Sequence, residues 1–458
     1  MKIVICGAGR VGSTIAEYLA QTGNSVVVID RDQEKLDSLA DSIDIQPVRG
    51  FASHPSVLQK AEAEDADMLI AVTASDEVNI IACEAAEKFF NIHTKIARIR
   101  SKEYTGNQFN FFSGDSKAAL DVVISPEVEI ARSIRRTISY PGAFDVIYPA
   151  GGAVRLMGIH CDEICPMLNT PLRQLTQLFP DVHAVVVGII RQGKLIVPTG
   201  DSRLLAGDDV YVVSQKDNWA RLLSLFGFDA QKASGVLILG GGEVALHLAA
   251  ALEKESEDMR ITIIEKDEER AEFLAESLKR TIIIHGDFLE NNILEEAGIE
   301  AADTVVALTS DDENNILSSL MAKKYGVTQT LTMIEKTLYA QLVTNLGVDV
   351  VIDPKDIIVS TILQNVRRGK IYAAYSLRSG LCEVLEADVF DSFEYVGEPL
   401  RNVRLPAGSI IGAIVRDGES IPLTGDTVIE VNDRLVLFAD TEVVKQIEKL
   451  FSVGVEFF

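Results

Sequence analysis

Ile3-Val4-Ile5-Cys6-Gly7-Ala8-Gly9-Arg10-Val11-Gly12 is a short apolar strand running into a glycine-rich turn, with a helical stretch after it. In that order the first glycine permits the tight turn and the second lets backbone approach a pyrophosphate. The third allows the helix to pack close to the strand. The helix then offers its positive end to the phosphate. Asp30 ends the next strand, Val26-Val27-Val28-Ile29, 21 residues beyond Gly9. A carboxylate there can accept from both ribose hydroxyls of an adenosine and would repel a 2′-phosphate, so NAD is favoured over NADP.

The motif occurs twice. Val236-Leu237-Ile238-Leu239-Gly240-Gly241-Gly242-Glu243-Val244-Ala245 repeats the strand and turn 233 residues on, with alanine at the third glycine position. Glu265 follows Ile261-Thr262-Ile263-Ile264 and answers to Asp30 at an offset of 235. Thr73, Asp76 and Asn79 return as Thr309, Asp312 and Asn315, each 236 residues later. Both sets follow apolar runs, Met68 to Val72 and Thr304 to Leu308, so Thr73-Ala74 and Thr309-Ser310 are expected at strand ends bordering a ligand crevice. Helix capping by Ser75 or Asp76, and by Asp311 or Asp312, is expected beside them.

The repeat extends further. Arg191-Gln192-Gly193 and Thr199-Gly200-Asp201 return as Arg416-Asp417-Gly418 and Thr424-Gly425-Asp426, at an offset of 225. Between such turns lie strand-like runs such as Val210-Tyr211-Val212-Val213. The fold class is therefore α/β: two tandem Rossmann-like doubly wound parallel sheets, each followed by a small α+β or β-rich C-terminal domain. Ser125-Pro126-Glu127 and Asp353-Pro354-Lys355 suit helix starts leading out of each sheet. The expected domains are 1–125, 126–231, 232–353 and 354–458, the second and fourth each opening on such a linker helix.

A length of 458 residues with 47% hydrophobic content supports several cores. With 68 acidic against 43 basic side chains the net charge is −25, which disfavours nucleic acid and anionic lipid as partners. The five cysteines include no Cys-x-x-Cys pair, and Cys161 and Cys165 read as small buried hydrophobes, so neither a disulfide framework nor a metal site is expected. The chain opens directly into a strand, without a signal peptide or an 18-residue apolar run. A cytoplasmic protein is expected, with no direct lipid insertion and any membrane association running through a partner.

No catalytic residue is assigned and the chain is not read as an enzyme. His54, His93, His160, His183, His247 and His285 have no counterparts in the opposite halves, and no nucleophile elbow, phosphate loop lysine or zinc helix is present. A soluble NAD-dependent oxidoreductase is the alternative. A redox-sensing transcriptional regulator fits the charge poorly.

These motifs, with Arg98 and Gly286-Asp287, resemble the peripheral nucleotide-binding regulatory subunit of Trk-type bacterial potassium uptake systems, built from paired regulator-of-potassium-conductance (RCK) domains. The resemblance covers essentially the whole chain. It implies a cytoplasmic gating ring, a homo-oligomer, docked on a membrane-embedded potassium-translocating subunit and responsive to NAD(H). By resemblance, Gly7, Ala8, Gly9, Arg10, Val11, Asp30, Thr73, Ala74 and Arg98 hold one dinucleotide. Gly240, Gly241, Gly242, Glu243, Val244, Glu265, Asp287, Thr309 and Ser310 hold a second ligand. Where the second half has Gly286-Asp287 the first has Gly50-Phe51, a departure from the family pattern. Met333 stands where the first half has Arg98, so the first site is expected to prefer NAD or NADH. The second is expected to accept a broader set, with ATP or another adenine nucleotide among the candidates.

Overall fold

Apolar runs too short for helices and bounded by glycine build the centre of two parallel sheets. The computed structural model describes residues 1–105, 120–174, 179, 182–228, 233–343, 346–366, 371–378 and 380–451. It comprises two compact units, Met1–Glu129 and Ile130–Phe458.

In the first unit, β1 (Lys2–Cys6), β2 (Ser25–Asp30), β3 (Gln46–Arg49), β4 (Met68–Ala71), β5 (Thr94–Arg98) and β6 (Val122–Ile124) form a sheet ordered β3-β2-β1-β4-β5-β6. Every neighbouring pair is parallel. The connecting helices are α1 (Arg10–Gln21), α2 (Gln33–Ser42), α3 (Pro55–Lys60), α4 (Asp76–Phe90) and α5 (Lys102–Thr105). All of β4, and all of β1 beyond Lys2, is buried, because helices on both faces leave a central parallel strand no solvent side. Strand order reverses between β1 and β4, which opens a crevice at the carboxyl ends of these two strands.

The helix α6 (Pro126–Ile138) follows, with proline at its start as expected. In the second unit its residues Ile130, Ile134 and Ile138 are buried in one core with Val236, Ile238 and Leu248. The strands β7 (Ala143–Ile147), β8 (Val154–His160), β9 (Ala184–Arg191), β10 (Lys194–Ile196) and β11 (Asp209–Gln215) form an antiparallel sheet ordered β10-β9-β11-β8-β7, followed by α7 (Trp219–Leu225).

The second parallel sheet repeats the first in order: β14-β13-β12-β15-β16-β17. Its strands are β12 (Gly235–Leu239), β13 (Arg260–Glu265), β14 (Ile282–His285), β15 (Thr304–Ala307), β16 (Gln329–Met333) and β17 (Val350–Ile352). Its helices are α8 (Glu243–Glu255), α9 (Glu268–Ser277), α10 (Asn291–Glu296), α11 (Asp312–Lys324) and α12 (Thr337–Val343), with α13 (Pro354–Val366) leading out. The last sheet, β18 (Ile371–Leu377), β19 (Cys382–Asp388), β20 (Ser409–Arg416), β21 (Glu419–Ile421) and β22 (Arg434–Asp440), is antiparallel in the order β18-β19-β22-β20-β21, and α14 (Val444–Leu450) follows.

The β9–β10 and β20–β21 hairpins turn on Gln192-Gly193 and Asp417-Gly418, all four at positive φ, the backbone a two-residue hairpin of this twist demands. Val187, Tyr211 and Val213 of the first antiparallel sheet share a core with Val384, Val436 and Phe438 of the second. A Cβ at Gly188 would lie 2.5 Å from the Phe438 ring, so glycine there lets the ring reach the strand backbone.

Candidate functional site

Each glycine loop lies at the carboxyl end of its sheet's central strand, against the next strand across the reversal. Gly7 has φ +113°, its N–H donates to the Ile29 carbonyl at 2.7 Å, and a Cβ there would lie 3.1 Å from Thr73 N and the Val72 carbonyl. Gly240 repeats this with φ +95°, a 2.9 Å bond to the Ile264 carbonyl, and Thr309 Cγ2 2.8 Å from where a Cβ would be. Both positions need the left-handed backbone and the missing side chain together.

The helices after these loops start without the side-chain cap that four other helices of the two parallel sheets carry. The helices α2, α4, α9 and α11 are capped by the side chains of Asp32, Ser75, Asp267 and Asp311. The helices α1 and α9's predecessor α8 begin at Gly9 and Gly242, which have no side chain to cap with. Their first N–H groups have no intrahelical acceptor, which leaves the donors an incoming phosphate would use. Arg10 and Glu243 are exposed at these starts, while Val11 is buried.

The acids stand behind the loops. Asp30 Oδ2 accepts from Ala8 N at 2.6 Å and Oδ1 from Asp32 N at 2.9 Å. Glu265 Oε2 accepts from Gly241 N at 2.6 Å and Oε1 from Asp267 N at 2.8 Å. Each oxygen keeps a further lone pair, so both acids brace their own loop and can still accept from a ribose hydroxyl. Beside the first loop a cleft of about 420 Å³ is lined by Ala8, Ser13, Asp32, Lys35, Ser38 and Ser42 among others. A glycine loop, uncapped helix donors and a strand-end carboxylate are the set an adenine dinucleotide needs, and both halves possess it.

Thr73 and Thr309 serve the fold directly. Asn79 is fully buried, and its Oδ1 accepts from Thr73 N at 2.9 Å and Thr73 Oγ1 at 2.7 Å while its Nδ2 donates to the Arg98 carbonyl at 2.9 Å. Asn315 does the same with Thr309 N at 3.0 Å, Thr309 Oγ1 at 2.6 Å and the Met333 carbonyl at 2.9 Å. Asp76 and Asp312 are not the caps. Asp76 accepts from Arg100 N and Ser101 N, and Asp312 from Glu335 N and Lys336 N. The repeated Thr-Asp-Asn set thus clasps the rims of β4 and β15 to those of β5 and β16.

Of the other assigned residues, Ala74 is exposed and its carbonyl accepts from Arg100 Nη2, while Ser310 is exposed in the equivalent turn. Arg98 is largely buried and forms an ion pair with Glu127 at the start of α6. Its counterpart Met333 is buried. Asp287 is bonded by Lys266 Nζ at 2.8 Å, which holds its carboxyl below the usual range. Gly50, which precedes Phe51 in the first half, and Gly286 both admit close packing: a Cβ at either would lie within 2.8 Å of Val57 or Ile293. Phe51 is half exposed and its ring lies 5.4 Å from that of His54.

Lys35 and Arg270 went unremarked in the sequence. Each stands five residues after its strand-end acid on the first turn of α2 or α9, and a basic residue at that spacing in both halves is the signal that marks them. Cys6, next to Gly7, is buried, which pushes its thiol up to about 12 and leaves it inert. All five cysteines are free and buried. Among the described residues no cluster of three metal-ligating side chains occurs, and no helix is long and apolar enough to cross a membrane.

Two glycine-loop crevices on tandem parallel sheets, each followed by an antiparallel domain, define a duplicated Rossmann protein of the dinucleotide-binding type. The TrkA-N domain matches residues 3–126 and 236–354, and the TrkA-C domain residues 162–227 and 390–452. The chain belongs to the TrkA family. The Trk system potassium uptake protein TrkA of Azorhizobium caulinodans is 43% identical over 458 residues, the whole of both chains. The crystal structure of the GsuK RCK domain superposes with a TM-score of 0.61 at 17% identity, covering 98% of this chain and 94% of that one. The GsuK channel bound to NAD gives 0.62 at 17% identity, covering 98% and 78%. At such identity these two establish the shared RCK fold.

Proposed function

We propose that this chain is the nucleotide-binding regulatory subunit of a potassium uptake system. It binds NAD(H) at the first glycine loop and an adenine nucleotide at the second. It assembles as a homo-oligomeric ring on the cytoplasmic face of a membrane-embedded potassium-translocating subunit and gates that subunit. Its working parts are the four domains 1–125, 126–231, 232–353 and 354–458, with the ligand residues named above.

The observation that supports this reading best is the duplicated crevice itself. Both halves pair an uncapped helix start with a braced strand-end carboxylate. When bound, NAD(H) would supply redox-dependent charge and shape. The residues of this chain hold it, and gating requires only that two conformations bind it unequally, a coupling of about 1–3 kcal/mol.

The test is potassium flux in proteoliposomes containing the membrane subunit, with and without this chain, under NAD, NADH and ATP. Nucleotide-dependent flux is expected. Flux indifferent to every nucleotide, or sustained NADH oxidation with a small carbonyl substrate, would overturn the reading in favour of an unrelated role or an oxidoreductase.

A further inference from the structure

The two phosphate ends differ in charge. In the first half α1 begins with Arg10, and Lys35 lies on α2 with its Nζ 3.8 Å from Asp32. The equivalent residues of the second half are Glu243 and Arg270, so the sign at the helix start is reversed. These two close on each other across the loop. Arg270 Nη1 lies 3.0 Å from Glu243 Oε1, and its Nε donates to the Gly241 carbonyl at 2.6 Å. The guanidinium rests 4.9 Å from the Phe273 ring centroid, and its Nη2 is buried without a hydrogen-bond partner.

A phosphate approaching the N-terminus of α8 therefore meets a carboxylate at the first helical residue and a guanidinium already engaged. Their charges cancel. At the first loop the corresponding residues are both cations, and each added ligand charge is rewarded there. At the second loop it is not, and a triphosphate brings more charge than the diester pyrophosphate of NAD.

We infer that Glu243 and Arg270 set the phosphate preference of the second site, holding it toward dinucleotides and low-charge adenine nucleotides and against ATP. This rests on the reading that the second glycine loop holds a nucleotide. Arg270 is the selecting group: with Glu243 in place its Nη1 is held by that carboxylate, and without Glu243 the Nη1 donors are released toward the ligand while Nε stays on the Gly241 carbonyl. Glu243 is half exposed, so its influence is screened by salt.

The experiment is equilibrium titration of the full-length chain with ATP and with NAD, at low and at physiological salt. The variants are Glu265→Ala, Glu243→Gln and Arg270→Gln, each checked for folding by thermal melting. Loss of one binding step in Glu265→Ala identifies the second site. On that step Glu243→Gln should raise ATP affinity by about tenfold and NAD affinity by less than about threefold, an effect that shrinks with salt. Arg270→Gln should weaken ATP more than NAD. If the step is identified but its ATP-to-NAD ratio is unchanged in both variants, the inference is wrong and the site stands. If Glu265→Ala removes no step, the second loop is not a nucleotide site and the inference falls with it.

Discussion

Arg378 Nη2 donates to Asp209 Oδ2 at 2.6 Å, tying the end of β18 in one antiparallel sheet to the start of β11 in the other. The other oxygen of the same carboxylate bonds His160 Nδ1 at 2.7 Å. The bond to Asp209 is the main cause that holds the His160 imidazole above its usual value, against burial and the nearby Arg378 charge. A group raised on folding adds stability that is complete below its unfolded value, about pH 6.5, and fades as pH climbs through the folded one. The melting temperature of the wild type should therefore exceed that of His160→Gln most at acid pH, with the gap closing above about pH 6.5. A gap that widens with rising pH would contradict the assignment.

Asp30 should serve two ends. Removing it takes away a ribose acceptor and the brace on Ala8 N. Asp30→Ala is expected to weaken NAD at the first site by about 1.5–3 kcal/mol. Asp30→Asn retains an acceptor for the loop and should cost less. Calorimetry on the full-length chain decides it, and an unaltered NAD affinity for the first step in Asp30→Ala would remove Asp30 from the site.

Asn79→Ala should destabilise the first unit by about 2–4 kcal/mol, because it strands the Thr73 N–H and the Arg98 carbonyl in a buried rim and leaves a cavity. Asn315→Ala should cost a similar amount in the second unit, for the same bonds to Thr309 and Met333. Denaturant unfolding followed by circular dichroism measures both. Losses below about 0.5 kcal/mol would mean that water replaces the clasp.

Much of the fold is legible in the sequence for a physical reason. Strands buried on both faces must be apolar throughout, so Ile3 to Cys6 and Val236 to Leu239 announce themselves, and Gly7 and Gly240 mark where each must turn. The duplication is legible because offsets count residues. What the offset of Thr73, Asp76 and Asn79 does not tell is which groups they bond within the fold: Asn79 and Asp76 reach backbone from the end of β5 onward, and Thr73 bonds Asn79. Arg98 shows its charge in the sequence but not its partner, since Glu127 lies 29 residues away at the start of α6. Arg270 reaches Gly241 only because α9 lies beside the loop, a relation between elements that no local pattern encodes.

Each half spends its steric freedom at a different position of the loop, and that can be tested by exchange. A Cβ at Gly12 would lie 1.8 Å from the Gly7 carbonyl oxygen, and backbone cannot yield as a flexible side chain can. Ala245 occupies the same position in the second half, fully buried. There Gly241 joins Gly240 in excluding a side chain, since its Cβ would lie 2.4 Å from Leu274 Cδ1 and 2.8 Å from Glu265 Oε2, while the first half has Ala8. Gly12→Ala should therefore force the first loop away from α1, costing about 1–3 kcal/mol in stability and at least about tenfold in NAD affinity. Ala245→Gly removes only a methyl group and some helix propensity, about 1 kcal/mol, and should leave nucleotide binding nearly unchanged. Gly241→Ala should damage the second step selectively by displacing Leu274 and the Glu265 carboxylate. Full-length titrations beside thermal melts separate the three, and a Gly12→Ala chain that binds NAD as the wild type does would show that the first loop seats its ligand in some other conformation.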